Sequence, residues 1–105
     1  MAKVKKLVLV TSKSHPLNKH FRKLAERLSK ELKLELEVKE EDYVYLTEHG
    51  ETDELGLTWL PQLLAELEDG TVIKVLTQPN LTSQGKLDEE KDYNAAMDAL
   101  RPYLG

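Results

Sequence analysis

Leu7-Val8-Leu9-Val10-Thr11-Ser12-Lys13-Ser14-His15-Pro16-Leu17-Asn18 is the stretch that decides the fold. Leu7 to Val10 is a continuous apolar run, the pattern of a central strand buried on both faces. Thr11 to Pro16 reads as a loop leading into a helix. Ser14 is its expected N-cap, and Pro16 suits the first turn, where its missing N–H costs nothing. Leu17, Phe21, Leu24, Ala25, Leu28 and Leu32 then recur at helical spacing, with Lys, Arg and Glu on the other side. This is the clearest amphipathic helix in the chain. Leu34-Glu35-Leu36-Glu37-Val38-Lys39 alternates strictly, which predicts a half-buried strand near a sheet edge. Strand, helix and strand over about 35 residues make a βαβ unit with a right-handed crossover and parallel strands.

Outward from this unit the pattern is less regular. Tyr43, Val44, Tyr45 and Leu46 predict one short helix within residues 40–56, with Gly56 as its C-cap. Gln62-Leu63-Leu64-Ala65-Glu66-Leu67 and Thr71-Val72-Ile73-Lys74-Val75-Leu76 flank Glu68-Asp69-Gly70, an antiparallel hairpin around an Asp-Gly turn. Gln78 to Gly85 is a polar loop. Tyr93, Ala96, Met97 and Leu100 line one face of a closing helix, with Asp88-Glu89-Glu90 complementing the dipole at its start. The order β-α-β-(α)-β-β-α predicts an α/β domain with a four-stranded mixed sheet and helices on both faces. A ferredoxin-like split βαβ would need a further strand after the last helix, and Arg101 to Gly105 is too short to supply it.

The 105 residues predict a single domain, 1–105, with one modest core. The hydrophobic fraction of 40% and charged fraction of 32% are those of a folded domain. No apolar run is long enough for a membrane span. The run after Lys5-Lys6 is too short for a signal peptide and lacks a small-residue cleavage site, so a cytoplasmic location is expected. A net charge of −4 argues against nucleic acid as a partner. The basic residues Lys19, Arg22, Lys23, Arg27 and Lys30 are interleaved with Glu26 and Glu31, the pattern of a solvated helix face. There is no cysteine. Disulfides, thiolate–metal sites and cysteine nucleophiles are therefore excluded. Abundant Lys and Glu without Cys suit a heat-adapted organism.

Two local patterns carry a resemblance. Gly56-Leu57-Thr58-Trp59-Leu60-Pro61-Gln62-Leu63-Leu64, followed by Glu68-Asp69-Gly70, sets an apolar-Pro step before a short strand and a tight hairpin. Leu9 to Asn18 sets an apolar strand and a Thr/Lys-containing loop before a helix, with proline at its start. Together with the element order, these resemble the thioredoxin/glutaredoxin superfamily over Leu7 to Leu104. The resemblance implies a cis Leu60-Pro61 bond that faces the tip of the first helix. It also places His15-Pro16-Leu17-Asn18 where the family carries Cys-Pro-Tyr-Cys. Disulfide exchange needs a thiolate, which imidazole and amide cannot replace. A redox-inactive member is expected.

The family-equivalent face is built from Ser12, Ser14, His15, Pro16, Asn18, Trp59, Leu60 and Pro61. Two functions fit it. One is a binding or scaffold module for a protein or peptide, with free backbone groups at the strand start for β-type pairing. The other is a small enzyme resembling glutathione transferases, in which the helix tip stabilises a substrate thiolate or small anion. The full transferases carry a further helical domain that this chain lacks. No cofactor and no catalytic residue is assigned. His15, His20 and His49 lack a metal-binding spacing, and adjacent Ser and His make no catalytic triad. Monomer and homodimer both remain open, the latter through a sheet edge or Tyr43 to Leu46.

Overall fold

The computed structural model describes residues 2–105. Its elements are β1 (Val4–Thr11), α1 (Asn18–Leu32), β2 (Glu35–Glu40), α2 (Tyr43–His49), β3 (Gln62–Leu67), β4 (Val72–Leu76) and α3 (Glu89–Leu100), with a closing 3₁₀ turn, Arg101–Tyr103. The four strands form one mixed sheet in the order β2-β1-β3-β4. β1 runs parallel to β2, with Leu7 opposite Leu36 and Thr11 opposite Glu40. It runs antiparallel to β3, with Val10 opposite Gln62. β3 and β4 form the antiparallel hairpin, closed by Gly70 at φ +91°.

The apolar run of β1 is continuous because both faces of the sheet are covered. Leu7 and Leu9 face a core shared with Phe21, Leu24 and Leu28 of α1 and with Ala96 and Leu100 of α3. Val8 and Val10 point the other way, into a smaller core with Leu64 and with Leu46 of α2. Each large apolar side chain so buried contributes roughly 1.5–3 kcal/mol. β2 lies at an edge, as its alternation predicts, with its residues half-buried or exposed. Among the described residues, no helix is long and apolar enough to cross a membrane.

Two helix boundaries differ from expectation. Ser14 does not cap α1, which starts at Asn18 with Leu17 in the cap position and no side-chain cap bond. The proline explains the delay. It disfavours helical geometry at His15, so the chain first makes two turns, with the His15 N–H on the Ser12 oxygen and the Asn18 N–H on the His15 oxygen. Gly56 is likewise not the C-cap of α2. That helix ends at His49 with Gly50 next, and Gly56 (φ +81°) belongs to a separate turn.

That turn is part of a miniature hairpin in which Thr52 pairs with Thr58. A second one, in the segment read from sequence as a polar loop, pairs Leu81 with Leu87. The C-terminal end of β1, the start of β3 and the end of β4 lie at one end of the sheet. Both hairpins and the β1–α1 loop spring from that end.

Candidate functional site

The register that sets Val10 opposite Gln62 brings Thr11 and Ser12 alongside Pro61 and Leu60. The two patterns singled out in the sequence therefore meet at one rim. The Leu60-Pro61 peptide bond is cis. Pro61 is buried, and Leu60 is half-buried against the small core beneath α2. Residue 60 lies beyond the last pair of the β1–β3 ladder and the last pair of the β3–β4 ladder. Among the described residues, neither its N–H nor its carbonyl oxygen takes a hydrogen bond within the chain. An unpaired donor and acceptor at the end of a strand form a template for an extended segment.

Trp59 is half-buried, and its indole N–H donates to the Thr77 oxygen at 2.8 Å, fastening the rim to the end of β4. Asn18 is buried, and its Oδ1 accepts from the Thr11 hydroxyl at 2.8 Å. His15 Nδ1 accepts from the Leu17 N–H at 3.0 Å. The neutral ring then carries its proton on Nε2. Pro16 and Ser14 are exposed.

The β1–α1 loop is already occupied by carboxylates of the chain itself. The Ser12 hydroxyl donates to Glu41 Oε2 at 2.7 Å, and the Lys13 N–H donates to Glu40 Oε2 at 2.9 Å. Glu41 adopts a left-handed backbone (φ +48°), and its N–H bonds the Thr11 oxygen. The donors that an exogenous anion would use are thus partly spent, and the local charge repels it. Among the described residues, no group of three His, Asp or Glu side chains converges on a metal-sized site.

Four residues that position this rim were not singled out in the sequence. Gln62 is fully buried. Its Oε1 accepts from the Glu51 N–H at 2.8 Å, and its Nε2 donates to the Glu51 oxygen, the Thr58 hydroxyl and the Trp59 oxygen at 3.0–3.1 Å. One side chain thus ties the neck of the 52–58 hairpin to the turn at Pro61. Gly50 permits this approach, since a Cβ there would lie 2.7 Å from Gln62 Oε1 and 2.8 Å from Leu46 Cδ2. Its backbone (φ −87°) suits any residue, so space and not φ demands glycine. Glu40 and Glu41 complete the set. A polar residue directly after a proline, at the head of an apolar run, was the available sign of Gln62.

The chain matches no protein-family model, and neither a curated relative nor a similar solved structure was found.

Away from the rim, Asp92 is fully buried between α1 and α3. Its Oδ2 lies 2.6 Å from His20 Nε2, while Oδ1 accepts from the Asn80 N–H and side-chain amide at 2.7 and 2.8 Å. The helix α2 is fixed by Leu46 and by the Tyr45 hydroxyl, which donates to Glu66 Oε2 at 2.9 Å. Burial, followed by the Glu66 carboxylate, pushes the Tyr45 phenol well above its ordinary range, so it remains a donor.

Proposed function

We propose that this domain is a redox-inactive, thioredoxin-like recognition module that holds an extended peptide segment at the Leu60–Pro61 turn. Support for the kinship comes from the strand order β2-β1-β3-β4, from α1 and α3 on one face with α2 on the other, and from a proline that opens β3 beside the β1–α1 loop. The observation that carries the function is the unpaired peptide group of Leu60, held rigidly by the Gln62 clamp and flanked by Trp59. Such a group offers main-chain hydrogen bonds to any extended partner, while the surrounding side chains supply selectivity. The glutathione-transferase-like alternative is disfavoured because Glu40 and Glu41 hold the loop donors at the spot where a substrate thiolate would sit.

The test is a selection of displayed random peptides against the intact domain, with the winners mapped by amide NMR shifts. Trp59, the single tryptophan, serves as the fluorescence probe. Bound peptides should shift Ser12 to Ser14, Trp59 and Leu60. They should lose about tenfold in affinity, roughly 1.4 kcal/mol, when the peptide nitrogen facing Leu60 is methylated. A selection that enriches nothing, or peptides that settle on α1 and α3 instead, would remove this rim from consideration. Millimolar glutathione should leave the same amides unmoved.

A further inference from the structure

The rim around Leu60 combines exposed leucines with carboxylates that, among the described residues, form no ion pair with a lysine or arginine. Leu55 is 83% exposed and Leu57 61% exposed, both on the hairpin that Gln62 clamps to the Leu60 turn. The fold does not need them. The turn is made by Asp53, whose Oδ1 accepts from the N–H groups of residues 55 and 57, and by Gly56 in its left-handed backbone. Apolar side chains projecting from a self-sufficient polar turn, next to an unpaired strand end, are surface suited to contact.

Between residues 40 and 54 stand seven carboxylates and no lysine or arginine. Their partners within the chain are neutral donors. Glu40 takes the Lys13 N–H, Glu41 the Ser12 hydroxyl, Asp42 the Tyr45 N–H and Glu51 the Thr77 hydroxyl. Among the described residues, none of the seven lies within salt-bridge distance of a lysine or arginine, and Glu48 meets only His49, at 3.7 Å. Elsewhere the ion pairs of the fold join other carboxylates. Lys6 and Lys39 pair with Glu37, Lys23 with Glu89, and Arg27 with Glu90.

We propose that the segment received at this rim is basic and carries apolar side chains that cover Leu55 and Leu57. The inference rests on the peptide-binding reading above and names the chemistry of its partner. Uncompensated carboxylates steer a cationic segment to the rim and reject acidic ones, while burial of the leucines supplies the grip.

Three synthetic peptides of equal length test this, titrated into the isotope-labelled domain at about 0.15 M salt, where distant charges are screened. One alternates Lys with Leu, one Glu with Leu, and one Lys with Ser. The Lys–Leu peptide should shift the amides of Leu55, Leu57 and Leu60 and bind at least about tenfold more tightly than the other two. Leu55→Ser/Leu57→Ser should remove most of that advantage. Glu48→Lys/Glu54→Lys should weaken it several-fold, and neither pair should change the spectrum of the rest of the domain. Equal binding of the Glu–Leu peptide at the rim overturns the charge assignment and leaves the peptide-binding reading standing. Equal binding of the Lys–Ser peptide overturns the apolar one. Shifts confined to another face overturn both this inference and the reading beneath it. Sedimentation that shows the free domain self-associating through Leu55 and Leu57 assigns the rim to a second copy and overturns the basic-segment proposal.

Discussion

In the 52–58 hairpin, the Asp53 N–H bonds the Leu57 oxygen and the Gly56 N–H bonds the Asp53 oxygen. In the 81–87 hairpin, Thr82 and Gly85 make the corresponding bonds, to Lys86 and Thr82. The side chains repeat the likeness. Asp53 Oδ1 accepts from residues 55 and 57 at 2.9 Å, and Thr82 Oγ1 accepts from residues 84 and 86 at 3.3 and 3.2 Å. The glycines sit at φ +81° and +79°, a conformation that favours glycine. The shorter bonds to Asp53 fit a charged acceptor. Below the turns the likeness ends. The first hairpin is fastened by the neutral amide of Gln62, the second by the carboxylate of Asp92 acting through Asn80 and shared with His20. A short Asp-x-x-Gly or Thr-x-x-Gly pattern suffices to make the turn. What attaches it to the body is a buried polar side chain from the strand or helix that follows it.

Removing the charged fastening should cost most. Asp92→Ala leaves the Asn80 N–H, its side-chain amide and the His20 ring without their buried partner, a loss of about 3–5 kcal/mol in chemical denaturation. Asp92→Asn keeps an acceptor for Asn80 and should fall well short of that loss. Equal losses for the two would mean that the carboxylate's charge, and not its acceptor geometry, holds the second hairpin. Gln62→Leu should cost somewhat less, about 1–3 kcal/mol, since it strands the Glu51 N–H and the Trp59 oxygen, leaves the Glu51 oxygen its bond from the Thr58 hydroxyl, and buries no charge. Its local signature is faster hydrogen exchange at Glu51. A stability unchanged within error would show that water replaces the clamp.

Gly50→Ala sharpens the same comparison from the opposite side. The methyl group would collide with Gln62 Oε1 and Leu46, so the clamp and α2 must move apart, at about 1–2 kcal/mol. Paired with Gln62→Ala, which vacates part of that space, the penalty should shrink. Strict additivity in the double-mutant cycle would mean that the two residues do not press on each other.

Much of the fold was legible because it follows from periodicity. The unbroken run at Leu7 to Val10, the alternation at 34–39 and the apolar stripe from Leu17 to Leu32 each report how many of their faces are buried. The observed layers match. The start of α1 was misplaced because Ser14 has the right chemistry for a cap, but His15, preceding a proline, resists helical geometry. Gly56 was misread because a left-handed glycine ends a helix and closes a turn equally well. At the site, the elements that meet were legible, whereas the polar clamps were not. Gln62 reaches back 11 residues to Glu51, and Asp92 reaches back 12 residues to Asn80 and farther to His20, and sequence spacing carries no record of such contacts. Asp92 lies four residues before the buried Ala96, on the stripe that faces the core, and that position was the available sign of it.

The smallest effect should come from the tips. Leu55→Ser/Leu57→Ser removes two side chains that touch water and alters neither the Asp53 acceptor nor the Gly56 turn, so stability should stay within about 0.5 kcal/mol of the parent. Leu81→Ser/Leu87→Ser on the other hairpin is the matched control, at residues 54% and 39% exposed. Leu87 is the more sheltered of the four, so this control pair should be the costlier one by thermal melting. A marked loss from the first pair instead would mean that Leu55 and Leu57 pack on the body of the domain in solution. They would then be unavailable to a partner, and the two hairpins would differ at their tips as well as at their roots.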